Sequence, residues 1–139
     1  MIHFDVITIF PKLIEGYFSE GVISRAAEAG IIAINAHDLR QWTHDRHKTV
    51  DSKPFSGGPG MVLKLEPIYK AINALKSQIP NSKVVLMSPR GKKFTQKKAK
   101  EYSGLHQLII ICGRYEGVDE RVAKYISEES ISLGDYVLS

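Results

Sequence analysis

The sequence predicts an α/β fold, a mostly parallel sheet flanked by helices. Three observations carry this. Strand-like apolar runs alternate with helically spaced segments along the whole chain. Some runs, above all Leu108–Ile111, are apolar without a break, as strands buried on both faces are. Three of the runs end in polar, glycine-containing turns, the form strand ends take at the ligand edge of a parallel sheet.

The elements follow in order. Phe4–Phe10 is rich in Val, Ile and Phe and stops at Pro11, which suits the first turn of a helix through Phe18. Ser19 is placed to cap a second helix, with Val22, Ile23, Ala26 and Ala27 on one stripe and Gly30 at its end. Ile31–Ala36 reads as a strand. The stretch 38–60 is polar and irregular, and a loop of that length inside a compact domain is usually functional. Glu66–Ile79 is helical, with Ile68, Ile72, Leu75 and Ile79 in register. Lys83–Met87 is a buried-type strand. Thr95 can cap a basic helix through Tyr102. Gln107–Cys112 is the most apolar strand. Val118, Val122 and Ile126 predict another helix, and Ser130–Leu133 a last strand.

Composition narrows the class. The 139 residues suit one domain, and 43% of them are apolar, enough for a real core. Net charge is +4 and the pI about 9.2, which permits a polyanionic partner. A single cysteine, Cys112, precludes an internal disulfide and fits a reducing compartment. The N-terminus reads as a strand and not as a signal peptide, no apolar run is long enough to span a membrane, and a cytoplasmic location is expected.

The three glycine turns are the candidate site. They are Ser88–Gly91, Gly113–Gly117 and the stretch that starts at Gly134. In a parallel sheet all three lie on one edge, and Gly113, Gly117 and Gly134 allow close backbone approach to a ligand. Glycines that merely end strands are the competing account. Asp119 and Glu120 also suit a helix start, where carboxylates complement the dipole, whereas Arg114 and Glu116 precede it. Nucleoside-triphosphate and dinucleotide fingerprints are absent. His44 and His47 are a thin ligand set for zinc, so no metal site is assigned. Arg90–Lys100 holds six basic residues among eleven, a solvated face or a phosphate contact.

Several strings, in order, resemble one family. They are "IFP" at Ile9–Pro11, "THDRHKTVD" at Thr43–Asp51, "GGPGM" at Gly57–Met61, "CGRYEGVDER" at Cys112–Arg121 and "GDYVLS" at Gly134–Ser139. Together they resemble the bacterial tRNA (guanine-N1)-methyltransferases of the SPOUT class, the TrmD family, over the whole chain. "MSPRG" at Met87–Gly91 differs modestly from that family's aromatic-plus-glutamine form.

The resemblance implies a homodimeric domain with a trefoil knot that binds S-adenosylmethionine and methylates guanine N1 in tRNA, 3′ of the anticodon. It implies cofactor contacts at Met87, Ser88, Pro89, Gly113, Glu116, Gly117, Leu133, Gly134, Asp135, Tyr136, Val137 and Leu138. It implies RNA or partner-subunit contacts at His44, Arg46, His47, Asp51, Gly57, Gly58 and Gly60. Glu116 and Arg114 are the catalytic-site residues expected here, in supporting roles. Magnesium dependence is also implied by the family. The same resemblance makes residues 1–139 an S-adenosylmethionine-binding domain truncated before the knot closes, with the presumed base and a C-terminal tRNA-binding domain beyond Ser139. This chain alone is therefore expected to be inactive. Its alternatives are a non-catalytic fragment that dimerises or binds cofactor or RNA weakly, and an RNA-binding accessory protein that uses Arg90–Lys100.

Overall fold

A computed structural model describes residues 1–52, 62–113 and 117–134. Its core is a five-stranded, wholly parallel sheet in the order β2-β1-β6-β5-β7. The strands are β1 (Ile2–Thr8), β2 (Ile32–Asp38), β5 (Ser82–Lys93), β6 (Gln107–Ile111) and β7 (Glu129–Ser132). A short antiparallel ribbon, β3 (Asp51–Ser52) with β4 (Val62–Leu63), lies outside this sheet. The helices are α1 (Pro11–Tyr17), α2 (Gly21–Glu28), α3 (Leu65–Lys76) and α4 (Gln96–Tyr102).

Burial on both faces is direct. Consecutive residues Val84, Val85 and Leu86 are all buried, although they point alternately up and down. Val84 and Leu86 join Ile7, Ile109 and Ile111 in a large cluster under α3. Val85, Leu108 and Ile131 form a smaller cluster on the other face, with Tyr102 of α4. Helix α3 is amphipathic by design of its sequence: Ile68, Ala71, Ile72 and Leu75 are its buried stripe. Each such Ile or Leu contributes roughly 1.5–3 kcal/mol. On that same side a polar trio, with Asp5 and Gln107 buried and His37 half-buried, crosses three strands. Asp5 bonds His37 at 2.7 Å and accepts from the Gln107 amide at 2.8 Å.

Several expectations need correction. Ser19 does not cap α2; its hydroxyl donates back to the Gly16 carbonyl at 3.0 Å, and the cap position is Glu20. Helix α3 stops at Lys76, not Ile79, because Ile79 precedes Pro80 and is steered away from helical geometry. Val118 is not helical. It bridges Leu63, and only a π-helical turn, Val122–Ile126, follows. Thr95 does cap α4, accepting from the Lys98 amide at 3.1 Å.

The strand at Lys83–Met87 is longer than expected and runs on to Lys93. Met87 and Lys92 both pair with Ile131, so Ser88–Gly91 is an irregularity inside β5. The strand resumes against β7, where the Phe94 amide donates to Ser132 O at 2.7 Å. The apolar stripe of α2 is not a core stripe either. Val22 is 72% exposed and Ile23 40%, and nearby Leu13 and Tyr17 of α1 are exposed as well.

Candidate functional site

Strands β6, β5 and β7 are neighbours, so the ends of β6 and β7 open beside the Ser88–Gly91 irregularity of β5. Leu86 pairs with Ile111, and Met87 with Ile131. The three expected turns therefore meet on one edge, as parallel topology demands.

On the first, Met87 is half-buried against the α4-side cluster, Pro89 is exposed, and the Ser88 hydroxyl accepts from the Arg90 amide at 3.2 Å. Gly91 has a steric reason to be glycine. A Cβ there would lie 2.4–2.5 Å from backbone atoms of Ser130 and Ile131. On the second, Gly113 is exposed, and Gly117 has φ of +115°, where only glycine is at ease. On the third, Ser132 and Gly134 close a tight turn. The Ser132 hydroxyl donates to Gly134 O at 2.6 Å and accepts from its amide at 3.1 Å. Leu133 is left 55% exposed at that edge. Arg114, Glu116, Asp135, Tyr136, Val137, Leu138, Gly57, Gly58 and Gly60 lie outside the described residues.

The long polar segment reaches this site by a route the sequence reading missed. The Leu63 amide donates to Gly117 O at 3.0 Å, and the Asp119 amide donates to Leu63 O at 2.9 Å. Lys64 N donates to Val50 O at 2.7 Å. The ribbon β3–β4 is thus sewn to the turn after β6. Buried Val50, Val62 and Leu63, apolar islands in polar surroundings, were the available signal. Upstream, Asp45 organises its own turn. It accepts from the Thr49 hydroxyl at 2.6 Å and the Thr49 amide at 2.9 Å, and these bonds hold its carboxyl below the ordinary range. His44, Arg46 and His47 stand exposed around that turn, and Asp51 is half-buried in β3. His44 Nδ1 lies 3.5 Å from the Glu66 carboxylate. Among the described residues, no group of three metal-capable side chains gathers.

Asp119 has a role beyond a helix-start charge. It is buried and accepts from Arg121 three times, from the amide at 3.0 Å, Nε at 2.9 Å and an Nη at 2.6 Å. Those bonds hold its carboxyl low, against the opposing effect of burial. Beside the pair opens a polar cleft of ≈ 450 Å³, walled also by Lys64, Glu66 and Tyr69. Cys112, just past β6, is pushed up to about 11 by burial, so it is a poor nucleophile.

The model of the family described as tRNA (Guanine-1)-methyltransferase TrmD matches residues 2–139. This chain belongs to that family. Among curated relatives, the tRNA (guanine-N(1)-)-methyltransferase of Geobacter sp. (strain M21) is 49% identical over 98% of this chain and 55% of its own length. That of Dictyoglomus turgidum is 49% identical over the whole chain and 56% of its own length. The chain thus spans about half the length of the curated relatives it matches. The fold agrees with a crystal structure of tRNA (m1G37) methyltransferase from Aquifex aeolicus. The TM-score is 0.88 at 43% identity, over 99% of this chain and 62% of that one. The parallel α/β architecture of the TrmD family is therefore the architecture of this chain. Among the described residues no helix is long and apolar enough to cross a membrane.

Proposed function

We propose that residues 1–139 form the methyl-donor-binding part of a tRNA (guanine-N1)-methyltransferase, acting on the guanosine 3′ of the anticodon with S-adenosylmethionine. One observation carries the reading: the irregularity within β5 and the ends of β6 and β7 lie on one sheet edge in a chain of this family. The residues there fit a nucleoside donor. Met87, Pro89 and Leu133 offer apolar surface, and Gly113, Gly117 and Gly134 let backbone groups come close. The family resemblance adds Glu116 and Asp135–Leu138 to this pocket.

The chemistry explains the remaining assignments. Guanine N1 carries a proton, so methylation requires a base. As that proton leaves, charge grows on O6 and calls for a cationic donor. The sulfonium methyl is already a strong electrophile, so binding and orientation are the main tasks of this domain. Glu116 is proposed to orient the guanine, and Arg114 to hold the loop or the RNA. The family resemblance assigns His44, Arg46, His47, Asp51, Gly57, Gly58 and Gly60 to contacts with the RNA or a partner subunit. The role proposed for these residues is donor binding, and no residue of the described edge is assigned as the base. A second copy of the chain is the proposed partner, supported by the exposed Leu13, Tyr17, Val22 and Ile23 of α1 and α2. The proposed location is the cytoplasm, where tRNA is modified.

Calorimetric titration with S-adenosylmethionine tests the site; saturable binding at low-micromolar levels is expected. No binding by a chain that circular dichroism shows to be folded would refute it. Methyl transfer from labelled donor to unmodified tRNA transcript tests the division of labour: none is expected, and turnover would contradict it. Sedimentation velocity tests the pairing, with a monomer at micromolar concentration as the contrary result.

A further inference from the structure

The basic stretch from Arg90 to Lys100 is not one uniform charged face. Five of its six cations fall into two sets. Lys98 turns inward and bonds Glu129 at 2.6 Å and Glu101 at 3.2 Å. Lys83, from the start of β5, joins the same cluster through Glu101 at 3.2 Å, and the Tyr102 hydroxyl donates to Glu129 at 2.7 Å. Those cations are neutralised, and they fasten α4 to β5 and β7. Arg90, Lys92, Lys97 and Lys100 are all exposed, and none has an ion pair with a described carboxylate.

The second set is arranged by the fold. Lys92 pairs with Ile131 at the end of β7, directly before the Ser132–Gly134 turn. Arg90 lies in the irregularity of β5, on the same edge as the donor pocket. Helix α4 starts at Gln96, two residues after the Phe94–Ser132 hydrogen bond, so its first turn also belongs to this edge. Lys97 and Lys100 are three apart and share one side of α4. Lys98 and Glu101, also three apart, bond each other. A row of uncompensated cations therefore runs from the pocket edge along α4. Phe94, 41% exposed, stands within it. Spaced cations beside a flat aromatic suit a nucleic-acid backbone better than a point ligand.

We propose that Arg90, Lys92, Lys97 and Lys100 form a track for the phosphate backbone of the RNA whose guanosine is methylated at the adjoining edge. The proposal rests on the reading given above and adds where the RNA lies on this domain.

The test is fluorescence anisotropy with a labelled, unmodified tRNA transcript and the 139-residue chain, across 50–200 mM salt. The variant replaces Lys92, Lys97 and Lys100 with Gln and leaves Arg90, next to the pocket, intact. A control removes three cations elsewhere: Lys12→Gln, Arg25→Gln and Lys124→Gln. Three lost phosphate contacts should lower the slope of log affinity against log salt by about 2–3 and weaken binding at least about tenfold. The control should keep its slope and most of its affinity. Equal losses in both proteins would mean net charge alone, and would overturn the proposal. So would an unchanged variant, or no tRNA binding by the wild-type chain at 50 mM salt. Donor titration of the same samples separates the two readings. Intact donor binding with an unaltered salt slope refutes the track alone, and lost donor binding in folded wild-type protein refutes the pocket.

Discussion

Gly91→Ala places one methyl group where the backbone of β7 already runs. The new Cβ would sit 2.4 Å from Ser130 C and 2.5 Å from Ser130 O and Ile131 N. Carbon contacts are comfortable near about 3.5–4.0 Å, so one strand must retreat by roughly 1 Å. No side chain can rotate away, because all three obstacles are backbone. Overpacking of this kind typically costs about 1–3 kcal/mol. A 1 Å retreat would also stretch the Phe94–Ser132 hydrogen bond, now 2.7 Å, beyond bonding distance, at about 0.5–1.5 kcal/mol. The sum is about 1.5–4.5 kcal/mol. With an unfolding entropy of about 2.1 cal/mol/K per residue, 139 residues give about 0.29 kcal/mol/K. The melting temperature should then fall by about 5–15 °C. Thermal melts followed by circular dichroism measure this, with Gly104→Ala as control, since its nearest obstacle is at 3.6 Å. The pocket edge borders the same contact, so donor affinity should fall as well. A melting point within about 2 °C of wild type would refute the claim that β5 and β7 touch so closely at Gly91.

Gly16→Ala should do the opposite: it lies within α1 with nothing within 4 Å of its would-be Cβ, so stability should rise by about 0.5–1 kcal/mol in urea titrations. Cys112 should react slowly with a thiol reagent. With its thiol near about 11 against an ordinary 9.0, the thiolate at pH 8 is about a hundredfold scarcer, and the rate should recover in denaturant. Asp119→Asn should destabilise the fold at pH 7, because Arg121 holds the native carboxyl below its usual 3.8. A lowered pKa gives stability that is complete above the unfolded value and fades as pH falls through the folded one. The gap between wild type and variant should therefore narrow below about pH 4, and a gap independent of pH would contradict the pairing.

Sequence alone determined the class of this fold, because burial on both faces of a parallel sheet leaves a local mark. "VVL" and "LIII" are apolar at every position, and no single-faced strand needs that. It also marked the three turns of the candidate edge, since glycine at a strand end is a local backbone requirement. Family motifs in "CGRYEGVDER" and "GDYVLS" named the chemistry expected there. Tertiary structure decided what depends on partners distant in sequence. Val118 looked helical by spacing, yet the flanking Gly117 and Asp119 are held by Leu63, more than fifty residues away, in a ladder no periodicity records. Gly91 looked like a turn glycine, but it is required by the Ser130 backbone across the sheet. The apolar stripe of α2 leaves Val22 and Ile23 exposed, because periodicity reports that a face is apolar and not what covers it. The six cations of Arg90–Lys100 were alike in sequence. Only the positions of Glu101 and Glu129 separate Lys98, which staples α4, from Arg90, Lys92, Lys97 and Lys100, since charge compensation depends on distance in space and not along the chain.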